Sequence, residues 1–248
     1  MKLHNISIGY PQKVVGHNLS AQLQPASLTA LVGVNGAGKS TLLRTLTGVQ
    51  RAIGGEILLN GKPLDSYSRV ERARQIAVVL TQKVEVPQLV TKEVVELGRL
   101  PYTNLTGILT DADLKQVEHA ITLAGLEHLR HRRIGSLSDG ERQRVMLAKA
   151  LAQETPFILM DEPTAFLDYP SRTEIFVLLR KLAREEQKSI LLSTHDLELA
   201  LKCCDQIWLL DKGTLTTGSP QEFALNKALD TAFSTPTFQF ETSKILTL

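Results

Sequence analysis

The sequence has two cysteines in 248 residues, and they are adjacent, Cys203 and Cys204. Neighbours in sequence rarely bridge each other, and this pair sits in an apolar helical pattern. The sequence therefore predicts buried thiols in a reducing compartment and excludes a disulfide scaffold. No apolar run approaches the roughly 18–20 residues that cross a bilayer, and Met1-Lys2-Leu3-His4-Asn5 lacks the apolar stretch of a signal peptide. A protein that is neither exported nor membrane-spanning is expected. Charge of one sign is also lacking: 28 Lys and Arg oppose 26 Asp and Glu, a net charge of +2, with no acidic or basic tail. That balance argues against nucleic acid as a partner. Internal repeats and low-complexity tracts are absent. What is present is a globular composition, 43% hydrophobic and 22% charged, in a chain long enough to bury a large core, which excludes disorder.

Short apolar runs alternate with amphipathic stretches, the pattern of an α/β fold with a mainly parallel sheet. Leu28–Val32, Ile76–Leu80, Phe157–Met160, Ile190–Ser193 and Ile207–Leu210 are continuous rather than alternating, so they read as strands buried on both faces. Between the two blocks of strands, from about Lys83 to Ser136, helical patterning takes over. In Asp113–Leu126, for example, Leu114, Val117, Ile121 and Ala124 line one face. A helical insert is expected there, with Pro87 and Pro101-Tyr102-Thr103-Asn104 as turn signals. Near the end, Pro220–Phe233 reads as helical. Phe238, Phe240 and Ile245 then alternate with polar residues, as in a closing strand pair on the sheet or a dimer contact.

After the strand Leu28–Val32 comes Gly33-Val34-Asn35-Gly36-Ala37-Gly38-Lys39-Ser40-Thr41 and then a helical run, Leu42–Val49. This is the P-loop pattern in its strand–loop–helix context. Glycines let backbone N–H groups converge on phosphate oxygens, and the following helix aims the positive end of its dipole at them. Lys39 then places a charge on the outer phosphates, and the Ser40 hydroxyl is suited to ligate Mg²⁺. Phe157-Ile158-Leu159-Met160-Asp161-Glu162 is a buried strand ending in two carboxylates, which the parallel-sheet geometry delivers beside the P-loop. Asp161 would hold Mg²⁺, and Glu162 could orient and deprotonate a water. Without the P-loop, the same carboxylates would read equally well as a solvated corner.

Leu137-Ser138-Asp139-Gly140-Glu141-Arg142-Gln143 precedes a helical run, Val145–Ala152. Here the chain resembles the nucleotide-binding subunits of ATP-binding-cassette (ABC) proteins, whose signature is LSGGQ before a helix, and the resemblance covers nearly the whole chain. It implies a P-loop NTPase core over about residues 1–82 and 154–248, a mainly parallel sheet flanked by helices with an antiparallel β portion. A helical subdomain over about 83–153 would be inserted in it. It also implies an adenine-stacking role for Tyr10, although a turn aromatic before Pro11 would look the same. Gln82 would be the Q-loop residue that ligates Mg²⁺ and links the lobes, Leu167-Asp168 the D-loop, and His195 the switch histidine sensing the γ-phosphate.

Two positions depart from the signature: Asp139 replaces a glycine and Glu141 a glutamine. Ser138-Asp139-Gly140-Glu141 is also a capping box, with Ser138 as N-cap and Glu141 reaching back. In the family the signature of one subunit covers the ATP held by the other. The resemblance therefore implies a homodimer closing over two Mg-ATP, with Ser138 and the Gly140 amide meeting the partner's γ-phosphate. Two carboxylates should weaken that closure unless they point away or pair with Arg142 or Arg144.

The expected load of such a motor is a separate permease, since the sequence holds one cassette and no membrane helices. Leu97-Gly98-Arg99-Leu100-Pro101-Tyr102 resembles the GRxPY stretch of ATPases that drive iron-siderophore, haem and cobalamin importers. Asp161-Glu162-Pro163-Thr164-Ala165-Phe166-Leu167-Asp168 is similar to a stretch of the same group. That points to metal-chelate import at the cytoplasmic face of the membrane, with a substrate-binding protein as an indirect partner. The alternatives are the ATPase of an exporter, a soluble non-transport ABC ATPase, opposed by the near-neutral charge and missing heptads, and a module that binds ATP without turnover.

Overall fold

The computed structural model describes residues 1–80, 87–104, 107–235, 237 and 239–246. Its centre is a six-stranded sheet built from β3 (Leu28–Val32), β6 (Ile76–Val79), β7 (Phe157–Met160), β8 (Ser189–Ser193), β9 (Gln206–Asp211) and β10 (Thr214–Gly218), in the order β10-β9-β3-β8-β7-β6. All neighbours are parallel except the β9–β10 hairpin. The apolar runs are continuous because alternate residues feed two different cores. On β7, Ile158 and Met160 face one core while Phe157 and Leu159 face the other. On β9 the division is Ile207 and Leu209 against Trp208 and Leu210.

The second core is closed by an antiparallel sheet of β1 (Lys2–Tyr10), β2 (Lys13–Gln22), β4 (Gly54–Leu59) and β5 (Lys62–Pro63), in the order β2-β1-β4-β5. α1 (Lys39–Leu46) is buried there through Leu42, Leu43 and Leu46. The short α2 (Arg69–Ala73) leads into β6. The first core receives α6 (Tyr169–Glu185), α7 (Leu197–Cys203) and the helical layer of α3 (Thr91–Glu96), α4 (Asp111–Leu123) and α5 (Asp139–Ala152). α4 has the expected apolar face, with Val117, Ala120 and Ile121 buried and a capping box at Thr110. α3, α4 and α5 pack on one another, and α5 also reaches β6.

Two expectations are corrected. Pro101-Tyr102 is not a loop: residues Leu97–Tyr102 continue α3 as a 3₁₀-helix with Pro101 inside it. Among the described residues the C-terminal segment forms no strand. It folds as α8 (Pro220–Asn226), α9 (Ala228–Phe233) and α10 (Thr242–Leu246), with the helical run interrupted at Lys227, whose φ is 53°. Asp230 accepts hydrogen bonds from the Thr242 amide and hydroxyl, and Phe240 lies against Phe233 at 6.0 Å between centroids. Those contacts fold the tail over its own helices instead of along a sheet edge. Phe240 and Ile245 pack on the core, whereas Phe238 lies outside the described residues. Cys204 is buried and Cys203 half-buried, both free, and burial pushes both thiols up.

Candidate functional site

The carboxyl ends of β3, β8 and β7 lie side by side, so the segments that leave them converge although they are far apart in sequence. β3 runs into the Gly33–Thr41 loop and α1. Gly38 is the N-cap of α1, with φ 106° and no side-chain cap. A Cβ there would lie 2.4 Å from Val15 Cγ1 on β2, so both the backbone conformation and the close approach require glycine. Without a capping side chain and with no acidic residue in its first turn, α1 leaves the N–H groups of its first turn to a ligand.

Lys39 is 6% exposed, and its Nζ donates to the Gly33 carbonyl at 2.8 Å. Burial lowers its pKa, while Glu162 and Asp161 act in the opposite direction and favour the charged form. β7 delivers those two carboxylates, and Ser193 at the end of β8 ties them down. The Ser193 hydroxyl donates to Asp161 Oδ1 at 2.6 Å and accepts the Glu162 N–H at 2.9 Å. Glu162 itself is held at φ 47°, a backbone region costly for a residue with a Cβ, so the turn after β7 is a specified one. Beyond β8, His195 Nε2 lies 2.7 Å from Glu162 Oε1. Asp196 caps α7 and pairs with Arg172 at 3.2 Å.

A cavity of about 810 Å³ gathers most of the sequence candidates: Tyr10, Val34, Asn35, Gly36, Ala37, Gly38, Lys39, Ser40, Thr41, Glu162 and His195 all line it. Gly33 anchors the loop at its base through the Lys39 contact. Asp161 lies on the far side of Ser40, where both line an adjoining cavity of about 560 Å³. Ser138 and Gly140 do not line the 810 Å³ cavity. They sit at the N-terminus of α5, where the expected capping box is formed: Ser138 Oγ accepts from the Glu141 amide at 3.2 Å, and Glu141 Oε2 accepts from the Ser138 amide at 2.7 Å. The two unusual carboxylates are both engaged. Asp139 pairs with Arg142 at 2.6 Å and Glu141 is folded back on Ser138, whereas Arg144 pairs with Glu174. Gln82 lies outside the described residues.

Sequence reasoning did not single out Ser193, Val15 or Lys13. Ser193, with no exposed surface, had a signal in principle: a polar residue ending an otherwise apolar buried strand. Val15 and Lys13 had none, because only the wrap of β2 over the loop brings them to the site.

The arrangement joins a phosphate cradle, a buried cation, a strand-end carboxylate pair and a histidine in contact with one of them. Comparison with known proteins agrees with it. A family model described as ABC transporter matches residues 16–165. The iron(3+)-hydroxamate import ATP-binding protein of Bacillus subtilis is 37% identical over 216 residues, covering 87% of this chain and 80% of that protein. Among solved structures, one described as an inward-facing metal-chelate-type ABC transporter aligns with a TM-score of 0.82 at 26% identity, covering 96% of this chain and 94% of that one. A dimeric bacterial ABC transporter cassette aligns with a TM-score of 0.74 at 26% identity, covering 88% of this chain and 97% of that one. The chain thus belongs to the ABC transporter family, as an ATP-binding subunit that couples ATP hydrolysis to transport.

Proposed function

We propose that this subunit drives a separate membrane permease that imports a metal chelate of the iron-siderophore, haem or cobalamin type. The observation that carries the ATPase reading is the convergence of Lys39, Glu162 and His195 on one cavity from three neighbouring strand ends. The likeness of Leu97–Tyr102 to the importer stretch and the relatives named above support the cargo class.

In this mechanism Lys39 leaves the Gly33 carbonyl for the outer phosphates of ATP, whose triphosphate lies along the N–H groups of the Gly33–Thr41 loop, and Tyr10 stacks on the adenine. Ser40 and Asp161 offer hard oxygen donors on one cavity wall, the donor set that suits Mg²⁺ shared with phosphate oxygens. When bound, Mg²⁺ would neutralise phosphate charge, and by the family resemblance Gln82 would be a further ligand. Glu162 orients and deprotonates the attacking water, and His195 holds the Glu162 carboxylate and senses the γ-phosphate. Ser138 and the Gly140 amide, which do not line the 810 Å³ cavity of their own chain, complete the cage of a second copy in a homodimer.

A peripheral position under the permease is proposed from the likeness to importer ATP-binding proteins; no described helix is long and apolar enough to cross a membrane. The permease would seat in the groove where two cavities share Thr47, Val49 and Val78, beside the outward-facing Leu80. Val49 is 79% exposed and Leu80 54%, apolar surface that water does not favour. The test is a crosslinked pull-down from native membranes with the Glu162→Gln chain and Mg-ATP as bait. A many-helix permease recovered with a substrate-binding protein supports import. An exporter-type membrane subunit, or soluble partners only, overturns it and leaves the ATPase standing.

A further inference from the structure

The 3₁₀ segment Leu97–Tyr102 grips the far end of the helix that carries Ser138. The Gly98 backbone lies so close to α5 that a Cβ there would stand 2.2 Å from the Lys149 carbonyl oxygen. The next residue, Arg99, is 5% exposed and donates in three directions. Its Nε reaches Asp113 Oδ1 on α4 at 2.9 Å, and one terminal nitrogen reaches the Ala152 carbonyl at 2.7 Å and Glu154 Oε2 at 3.1 Å. Tyr102 donates its hydroxyl to the Gln153 carbonyl at 3.0 Å, and its ring lies under the Arg99 guanidinium at 4.1 Å. Two carbonyls at the C-terminal end of α5, which no helical N–H can reach, are thus taken by side chains, one of them a cation at the negative end of the helix dipole.

The same segment is bound to the core. Arg74, just after α2, donates to the Pro101 carbonyl at 2.9 Å, and Gln153 Nε2 donates to the Ile76 carbonyl at 3.0 Å. Asp113 closes the capping box of α4 with the Thr110 amide and hydroxyl, which hold its carboxyl below the usual range. One guanidinium therefore fixes α4 and α5 relative to the turn that continues α3. Removing one partner of such a buried pair leaves an uncompensated charge, so the three acceptors around Arg99 hold it in one place.

We infer that Arg99 and Tyr102 are positioning residues for ATP hydrolysis: by gripping the C-terminal end of α5 they set the direction in which Ser138, one helix length of about 21 Å away, is presented to the partner's nucleotide. This rests on the reading that Ser138 completes a second copy's site. A misplacement of about 1 Å can cost about 10²-fold in rate, so the effect falls on kcat, while the cradle of the same chain binds nucleotide as before.

The test measures Mg-ATP hydrolysis and fluorescent-nucleotide affinity of the purified full chain for Arg99→Ala, Arg99→Lys and Tyr102→Phe. Arg99→Ala should lower kcat by roughly ten- to a hundredfold, and Tyr102→Phe, which loses one hydrogen bond and keeps the ring, by about two- to tenfold. Arg99→Lys, which keeps the charge without the fork, should fall between them. Nucleotide affinity should be unchanged in all three. Unchanged kcat in a folded Arg99→Ala, or affinity lost in step with kcat, overturns the inference. If Arg99→Ala does not fold, Tyr102→Phe decides, and unaltered kcat in it overturns the inference. Ser138→Asp separates the two levels. Hydrolysis that survives in Ser138→Asp removes the dimer reading and the positioning role together, whereas loss there beside fully active Arg99 and Tyr102 variants removes the positioning role alone.

Discussion

Two helix N-termini in this molecule carry the same potential, a cluster of unpaired N–H groups at the positive end of a dipole, and treat it in opposite ways. α1 starts at a glycine, has no side-chain cap and carries no acid in its first turn. α5 starts at Ser138 with both halves of a capping box closed, and its first turn holds Asp139 and Glu141. The first is an anion site in waiting. The second is capped: the Ser138 Oγ accepts the Glu141 N–H through a lone pair, which leaves its own O–H to donate. In the proposed mechanism the α1 end receives the triphosphate of its own chain's nucleotide, and the α5 end keeps its cap while offering the Ser138 O–H to the partner's.

The comparison breaks first at the cradle. Glu162→Gln should lower kcat by about 10²–10⁴-fold, the contribution of a general base, while ATP affinity stays unchanged. Steady-state hydrolysis beside nucleotide binding checks this, and an unaltered rate removes Glu162 from its role. Lys39→Ala should weaken ATP binding by roughly ten- to a hundredfold, since a hydrogen bond to a charged group is worth about 1.5–3 kcal/mol. Titration with a fluorescent ATP analogue reads it.

At the α5 end the effects are smaller and of another kind. Ser138→Ala should cost about 1 kcal/mol of stability through the lost cap. Ser138→Asp, which still caps, should stay within about 0.5 kcal/mol of the original by urea titration and yet lose hydrolysis, because it sets a charge against the partner's phosphate. Smallest is a pH effect confined to this end. Hydrogen bonds from Ser138 hold the Glu141 carboxyl below its usual range. Its share of stability is complete above the ordinary value of about 4.3 and is lost as pH falls through the lower folded-state value. Amide exchange should show the first turn of α5 opening as pH is lowered, with no matching change in the first turn of α1.

Much of this site was legible because it is built from contiguous signals. The strand before Gly33, the loop, and the carboxylates after Met160 each follow from local pattern, and the two-core sheet makes the apolar runs continuous. Less legible were contacts made across the sheet. Ser193 reads as the end of a strand until β8 lies beside β7, and Val15 until β2 folds over Gly38. Pro101-Tyr102 reads as a turn because nothing local reveals that α5 ends beside it. The alternation of Phe240 and Ile245 misleads, since Asp230 captures Thr242 and turns the tail into a helix.

The sequence by itself determined the P-loop, the strand-end carboxylates, the capping box and the family, because each depends on spacing along one stretch of chain. Only the tertiary structure decided that Asp139 pairs with Arg142 while Arg144 turns to Glu174, which carbonyls Arg99 and Tyr102 hold, and that Ser193 ties down Asp161 and Glu162. Those are set by which elements pack together, and burial selects that packing without writing it into any local pattern.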